Sequence, residues 1–215
     1  FTNSKPYDST FNVTLTVTNS YGCDSTVFKV FTVYANSKAN FIVEKLDSCS
    51  PFPIRIKNLS SQGASWYEWD FGDGTPKSNL FEPSHTYTNT TQNVLAYNLR
   101  LVTRNNHFCY DTMIRNIKVY PEIHVNFALD KTYGCQPLTV NVLANNTNII
   151  NGTEFTWTFD DGQFSSKVIP DPHVYYNYTN NSIVRNLKLK AISMYGCMDS
   201  IIKPITIYPY IFAKF

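Results

Sequence analysis

The 215-residue sequence predicts an all-β protein built from tandem sandwich domains, on three observations. Landmarks recur with one period, apolar residues alternate with polar ones along the recurring segments, and no stretch of helical length carries a 3.6-residue apolar repeat. The period is set by the run Tyr21-Gly22-Cys23-Asp24-Ser25. It returns as Phe108-Cys109-Tyr110-Asp111-Thr112 and as Tyr195-Gly196-Cys197-Met198-Asp199-Ser200, with the cysteines 86 and 88 positions apart. Cys49 and Cys135, each two residues before a proline (Pro51, Pro137), are again 86 apart. Lys38-Ala39-Asn40-Phe41, His124-Val125-Asn126-Phe127 and Phe212-Ala213-Lys214-Phe215 keep the same spacing.

The phase of the repeat divides the chain into four parts. Residues 1–35 read as the closing part of one repeat, 36–121 and 122–209 as whole repeats, and 210–215 as the first strand of a following one. The expectation is a window on a longer array. Repeats of this length hold a modest core, near the size of small sandwich domains. With 18 Lys and Arg against 16 Asp and Glu, and no basic run, the chain lacks the charge that nucleic-acid binding needs. No apolar run approaches a membrane span, and no leader is visible.

Within a repeat the strands follow in order. Phe41 and Phe127 mark the opening strand. Ile54 and Ile56, matched by Leu138, Val140 and Val142, mark the next. In Tyr67-Glu68-Trp69-Asp70-Phe71 the aromatics fall on one face and the acids on the other. Phe155-Thr156-Trp157-Thr158-Phe159 keeps that pattern, as a half-buried strand requires. Val13-Leu15-Val17, Leu99-Leu101 and Leu187-Leu189 mark the penultimate strand. The closing strand holds Val30, Ile117 and Ile205 and ends at Tyr34, Tyr120 and Tyr208. About seven short strands separated by turn residues predict an immunoglobulin-like sandwich.

The aromatic strand runs into Trp69-Asp70-Phe71-Gly72-Asp73-Gly74, and Pro83-Ser84-His85-Thr86-Tyr87 follows after a loop. Together with the next apolar strand, this resembles the polycystic kidney disease (PKD) domain, an immunoglobulin-like sandwich. The third repeat resembles it through Trp157-Thr158-Phe159-Asp160-Asp161-Gly162 and Asp171-Pro172-His173-Val174-Tyr175, but departs at the turn. The first fragment carries only the last two strands of the pattern.

Asp70 with Asp73, or Asp160 with Asp161, invites a reading as an acid–base pair or a calcium site. These acids sit beside glycines in a tight turn, where short carboxylates commonly accept backbone N–H groups. Calcium takes six to eight oxygens, and the turn offers few. Turn building is the preferred reading, with no cofactor expected and calcium as the alternative. His85 and His173 have no cysteine or carboxylate at metal-ligand spacing. They are expected to bridge two loops through both ring nitrogens. His107 and His124 lack counterparts and are expected on the surface. No nucleophile elbow, phosphate loop or zinc motif is present, so no enzymatic activity is expected. Tyr176, Tyr178 and Tyr210 fall outside the alternating pattern. They suit either loop packing, the favoured reading, or a glycan- or protein-binding patch.

Five repeat-locked cysteines without metal spacing read as disulfides in an oxidising, extracytoplasmic setting. Within a repeat the pairs would be Cys49–Cys109 and Cys135–Cys197. In the PKD-type sandwich those positions lie at opposite poles, about 25–30 Å apart along a strand. Bridged Cα atoms need about 7 Å or less. Cys49–Cys197, across the junction of neighbours, is therefore preferred, with Cys23, Cys109 and Cys135 pairing outside the window; the within-repeat pairs remain the alternative. The linkers Ala35-Asn36-Ser37, Pro121-Glu122 and Pro209-Tyr210 are short, which favours a stiff array.

Seven Asn-x-Ser/Thr sequons begin at Asn12, Asn58, Asn89, Asn145, Asn151, Asn177 and Asn180. Ser9, Ser25, Thr112 and Ser200 each follow an aspartate and resemble the O-glycosylation acceptors of secreted Bacteroidetes proteins, although a turn leading into a strand explains them equally well. The tandem Gly-Cys-x-Asp loops resemble repeats of giant Bacteroidetes surface proteins exported by the type 9 secretion system, gliding-motility adhesins among them. That resemblance implies a rigid stalk segment on the outside of a bacterial outer membrane. Its implied partners are neighbouring repeats, the secretion or motility machinery, and a substratum or glycans. The competing reading is an accessory polysaccharide- or protein-binding module of a secreted depolymerase. A surface-layer protein or eukaryotic ectodomain is a third.

Overall fold

In the computed structural model of the protein, every regular element is a β-strand. The structure describes residues 1–5, 7–61, 63–145, 147–148, 150 and 152–211. The first repeat fragment is a hairpin, β1 (Ser9–Thr18) and β2 (Asp24–Val33). The middle repeat holds β3 (Phe41–Val43), β4 (Asp47–Cys49), β5 (Phe52–Asn58), β6 (Trp66–Asp70), β7 (Ser84–Tyr87), β8 (Leu95–Arg104) and β9 (Tyr110–Tyr120). The third holds β10 (Phe127–Leu129), β11 (Tyr133–Cys135), β12 (Leu138–Val140), β13 (Val142–Asn145), β14 (Glu154–Thr158), β15 (Phe164–Ser165), β16 (His173–Tyr175), β17 (Ile183–Ile192) and β18 (Met198–Tyr208). Residues 212–215, most of the expected strand at 210–215, lie outside the described residues.

Two sheets make each sandwich. In the middle repeat they run β3-β5-β7 and β4-β9-β8-β6; in the third, β11-β18-β17-β14-β15 faces the pairs β10-β13 and β12-β16. The opening strand serves both sheets. Its first half pairs with β5 through Phe41 and Asn58, and its second half, β4, lies beside β9. In the third repeat that second half, β11, runs parallel to β18. Dividing one strand in this way covers an edge of each sheet, where bare N–H and C=O groups would otherwise invite pairing.

Alternation decides which side chains enter the core. In β5 every second residue is buried, and Phe52, Ile54 and Ile56 join Phe41, Trp69, Tyr87, Leu99, Leu101, Ile117 and Val119. Leu138, Val140, Phe127, Trp157, Tyr175, Leu187, Leu189, Ile205 and Ile207 occupy the matching places in the third repeat. Phe41 meets the edge of Trp69, and Phe127 that of Trp157, both with centroids 5.0 Å apart. Such edge-on pairs set the positive rim of one ring against the negative face of the other.

One strand is interrupted and one assignment shifts. Val142 packs against the same core as Leu138 and Val140, but the strand breaks at Asn141 and the pairing register slips between Ala128 and Leu129. The Asp130 carboxylate accepts from the Asn141 backbone and side chain at 2.8 and 2.7 Å, which holds that bulge. Val30 is not the counterpart of Ile117 and Ile205. Val13 lies opposite Lys29 as Leu187 lies opposite Lys203, so two residues further on it is Phe31 that matches Ile205.

The chain divides into two compact units, one of Phe1–Ser48, Phe52–Thr88 and Ala96–Val119, the other of Cys49–Pro51, Asn89–Leu95 and Tyr120–Phe215. Each has its own core, centred on one fully buried tryptophan. Trp69→Ala and Trp157→Ala are each expected to cost about 3–5 kcal/mol, confined to the unit that carries the change. Denaturant unfolding of the two variants, followed through the remaining tryptophans, checks this.

Candidate functional site

The acidic turn after β6 is built by its own carboxylates. Asp70 Oδ1 accepts the Gly72 N–H at 3.0 Å and Oδ2 accepts Arg100 at 3.0 Å. Those two bonds, Arg100 foremost, hold the Asp70 carboxyl below the usual carboxylate range. Asp73 Oδ1 accepts both the hydroxyl and the N–H of Thr75, at 2.6 and 3.1 Å. Its Oδ2 meets His85 Nε2 at 2.7 Å. Burial pushes the Asp73 carboxyl up, but the bonds from Thr75 and His85 outweigh it and leave it low. Every carboxylate oxygen of the turn thus takes part in holding the loop.

His85 links the turn to β7 from above the core. Its ring stacks on Phe71 with centroids 4.0 Å apart and meets the edge of Tyr87 at 4.6 Å. Tyr87 in turn donates to the Phe71 carbonyl at 2.9 Å, and burial raises its hydroxyl pKa. The third repeat reproduces the set. His173 Nε2 lies 2.7 Å from Asp161 Oδ2, and the ring stacks on Phe159 at 4.0 Å. The carboxylate partner of each histidine stands twelve residues earlier, a spacing that no ligand motif covers. The bond described for each ring is through Nε2, so the link runs to a carboxylate and not to two loops at once. Tyr175, the counterpart of Tyr87, has its hydroxyl buried and without a hydrogen-bond partner among the described residues.

The departure of the third repeat at this turn is now explicit. Asp161 matches Asp73 and Gly162 matches Gly74, while Asp160 stands where Gly72 does, at φ 64° against 79°. At Gly72 an added Cβ would lie 2.7 Å from the Asn98 carbonyl oxygen. At Asp160 the side chain is accommodated and used, its Oδ2 accepting the Asn186 N–H at 3.0 Å. Asn and Asp tolerate this left-handed region better than other non-glycine residues. Asp160 and Asp161 therefore have separate duties and do not form a carboxylate pair. Among the described residues no three His, Cys, Asp or Glu side chains are grouped to hold a metal ion.

Cys49, at the end of β4, is bonded to Cys197, in the loop before β18, with Cα atoms 5.6 Å apart. Both fall in the second compact unit. Cys23, Cys109 and Cys135 are free thiols in this chain. Beside the disulfide, Tyr120 and Tyr195 stack nearly parallel at 4.8 Å. In the first unit Tyr34 and His107 make the same contact at 3.5 Å. His107 is thus the counterpart of Tyr195, a match hidden because the residue type changes. His124 is exposed, 3.3 Å from Glu122.

The sequons are largely structural. Asn89 and Asn177 are fully buried, and each side-chain oxygen accepts from the N–H and hydroxyl of the threonine two residues on. Asn58 and Asn145 accept in the same way from the N–H of Ser60 and Thr147. These are Asx turns, in which the sequon hydroxyl is part of the loop. Asn151 lies outside the described residues. The aspartates before Thr112 and Ser200 also have a job: Asp111 accepts the Ala39 N–H at 2.8 Å and Asp199 the Val125 N–H at 2.9 Å, clasping the incoming opening strand. Asp8 accepts the Ala35 N–H at 2.8 Å. The hydroxyl-bearing Ser25, Thr112 and Ser200 are exposed, and Ser9 is half-buried.

Aromatic groups on the surface include the following two. Tyr176 and Tyr178 stack in parallel at 5.7 Å, and Tyr210 is also exposed. In the first unit the Arg104 guanidinium lies 5.1 Å from the rings of Trp66 and Phe108 and 6.0 Å from Tyr110. The sequence reading missed this second group, because Trp66 has no aromatic counterpart in the third repeat.

No family model matches the chain. Among solved structures it is similar to the PKD1 domain of the Vibrio cholerae metalloprotease PrtV, with 26% identity over 40% of this chain and 98% of that one and a TM-score of 0.33. It is also similar to fibronectin(III)-like modules of Clostridium thermocellum CbhA, with 13% identity over 79% of this chain and 94% of that one and a TM-score of 0.35. A third is a structure of carbohydrate-binding modules of the β-sandwich superfamily, with 17% identity, 74% and 54% coverage and a TM-score of 0.36.

Two outcomes are expected at the turn. Gly72→Asp destabilises the first unit by more than Asp160→Gly destabilises the second, because only the former meets a backbone carbonyl; thermal unfolding of both variants checks this. A carboxyl held low in the folded state contributes stability above its unfolded pKa and loses it as pH falls through the folded one. The first unit should therefore weaken as pH drops below about 4. Asp73→Asn should flatten that acid limb in a series of melts from pH 7 to pH 2.

Proposed function

We propose that this chain is a non-enzymatic, load-bearing segment of a long secreted protein on a bacterial cell surface, its repeats acting as spacers that hold a distal adhesive region away from the outer membrane. On this reading its partners are neighbouring repeats, the secretion or motility machinery, and a substratum or glycan met by the distal part. The observation that carries the reading is the Cys49–Cys197 bond, whose cysteines are 148 positions apart and belong to successive repeats. A pull applied outside those two residues passes through the disulfide and bypasses the chain between them. The acidic turns support the same view, since their carboxylates are consumed in holding loops.

The exposed Tyr176–Tyr178 stack favours the second reading, an accessory module that binds polysaccharide or protein. Loss of polysaccharide retention by Tyr176→Ala and Tyr178→Ala chains would support it.

Pulling the chain from its termini in a single-molecule experiment tests the load path. Oxidised chains should extend by roughly 500 Å less than reduced ones, the length of the bypassed segment at about 3.6 Å per residue. Equal extension in both states would overturn the load-bearing reading.

A further inference from the structure

One corner of the first unit breaks the equivalence of the repeats. In the loop before the closing strand, Gly22 and Gly196 stand in the left-handed backbone region, at φ 82° and 79°. The loop between β8 and β9 puts Phe108 there instead, at φ 61°. A bulky side chain is costly at such an angle, and strain of this kind gathers at functional positions. Burial does not offset it, because Phe108 is 68% exposed.

Around Phe108 the fold assembles a cation held by rings. Leu101 and Thr103 in β8 are buried, so Arg104 falls on the opposite, outer face of the strand. There it lies directly across from Trp66 of β6. Its guanidinium is 5.1 Å from the rings of Trp66 and Phe108 and 6.0 Å from that of Tyr110, the first residue of β9. Rings take the faces of a guanidinium and leave its N–H donors at the edge. The neighbouring cations are paired, Arg100 with Asp70 at 3.0 Å and Lys77 with Glu68 at 2.7 Å. The Arg104 guanidinium has no carboxylate or other acceptor among the described residues. Alongside, Ser65 donates its N–H to the Arg104 carbonyl at 2.9 Å and its hydroxyl to Asn106 Oδ1 at 2.7 Å. The Asn106 Nδ2 has no partner among the described residues.

The corner is open in its own right. Glu154, Gly196 and Met198 hold the places of Trp66, Phe108 and Tyr110 in the third repeat, and all three are exposed. Within the second unit, the Cys49–Pro51 segment engages Cys197 and leaves them so. A segment bonded in the same way to Cys109 would leave Phe108 and Tyr110 uncovered as well.

We propose that this corner binds an acidic polysaccharide, with a uronic acid carboxylate on the Arg104 guanidinium and the C–H face of a sugar ring against Phe108 and Tyr110. The Asn106 amide donates to a sugar hydroxyl. A carboxylate matches the paired donors of the guanidinium fork, and exposed rings offer apolar area to the flat face of a pyranose. The site makes the repeat itself adhesive, whether or not force runs through the Cys49–Cys197 bond.

The test titrates the 215-residue chain with oligogalacturonate, read by calorimetry and by the fluorescence of Trp66, the tryptophan outside the two cores. Binding is expected, and the methyl-esterified oligomer should bind about tenfold more weakly. Arg104→Lys keeps the charge and loses the fork; it and Tyr110→Ala should each weaken binding about tenfold. Phe108→Gly should do the same while melting no lower than the parent, since glycine relieves the strained angle. Lys57→Gln removes an exposed cation elsewhere and should leave binding unchanged. Melting curves matching the parent show that the other variants remain folded. Absence of binding, equal binding of the methyl ester or of poly-glutamate, or unchanged binding by the Arg104→Lys or Phe108→Gly chain overturns the proposal.

Discussion

A buried indole needs an acceptor for its N–H, and much of each sandwich follows from meeting that need. Trp69 is completely enclosed, and its Nε1 donates to the Leu80 carbonyl at 2.9 Å. Trp157 does the same with the Lys167 carbonyl at 2.9 Å. The acceptor comes from the loop that follows the acidic turn, so the loop must fold back over the core. The turn makes that return, and its carboxylates are occupied in shaping it. The histidine then fastens the turn to the next strand, with one face on a core phenylalanine and one nitrogen on the aspartate. Leaving a buried N–H unpaired would cost about 1–3 kcal/mol, enough to explain why the loop is built so fully.

The polar side chains with apparent chemical promise share this economy. Asp73, Asp161, Asn89, Asn177, Asp111 and Asp199 each satisfy backbone N–H groups that a strand-and-loop protein cannot pair within its sheets. A small sandwich has few residues per loop, so the side chains of the loop supply the missing acceptors. Groups that stay outside this network are the free thiols and the solvent-facing rings. Interactions with other molecules are to be sought there.

Much of the fold was legible because it is written in local patterns. Period-2 alternation marked β5, β6, β8 and β17, and the all-β class follows from the strands themselves. The break between β12 and β13 was not legible, since a bulge depends on how Asp130 meets Asn141 across two strands. The shift from Val30 to Phe31 was hidden because both are apolar, and only the pairing with β1 separates their faces. At the site, the turn residues were visible but their partners were not. The bonds between Asp73 and His85, between Asp70 and Arg100, and from the Asp111 carboxylate to the opening strand join positions 12, 30 and 72 apart in sequence.

By itself the sequence determined the period, the alternation and hence the sandwich class, because these rest on the geometry of single strands. Which partner each polar group takes was decided only in the tertiary structure. The Asp73–His85 link, the left-handed Asp160, the stacking of His107 on Tyr34 and the burial of the sequon asparagines all arise there. The physical reason is that a hydrogen bond or ring contact needs two groups brought within a few ångströms, and in a sandwich that is done by strands distant in sequence.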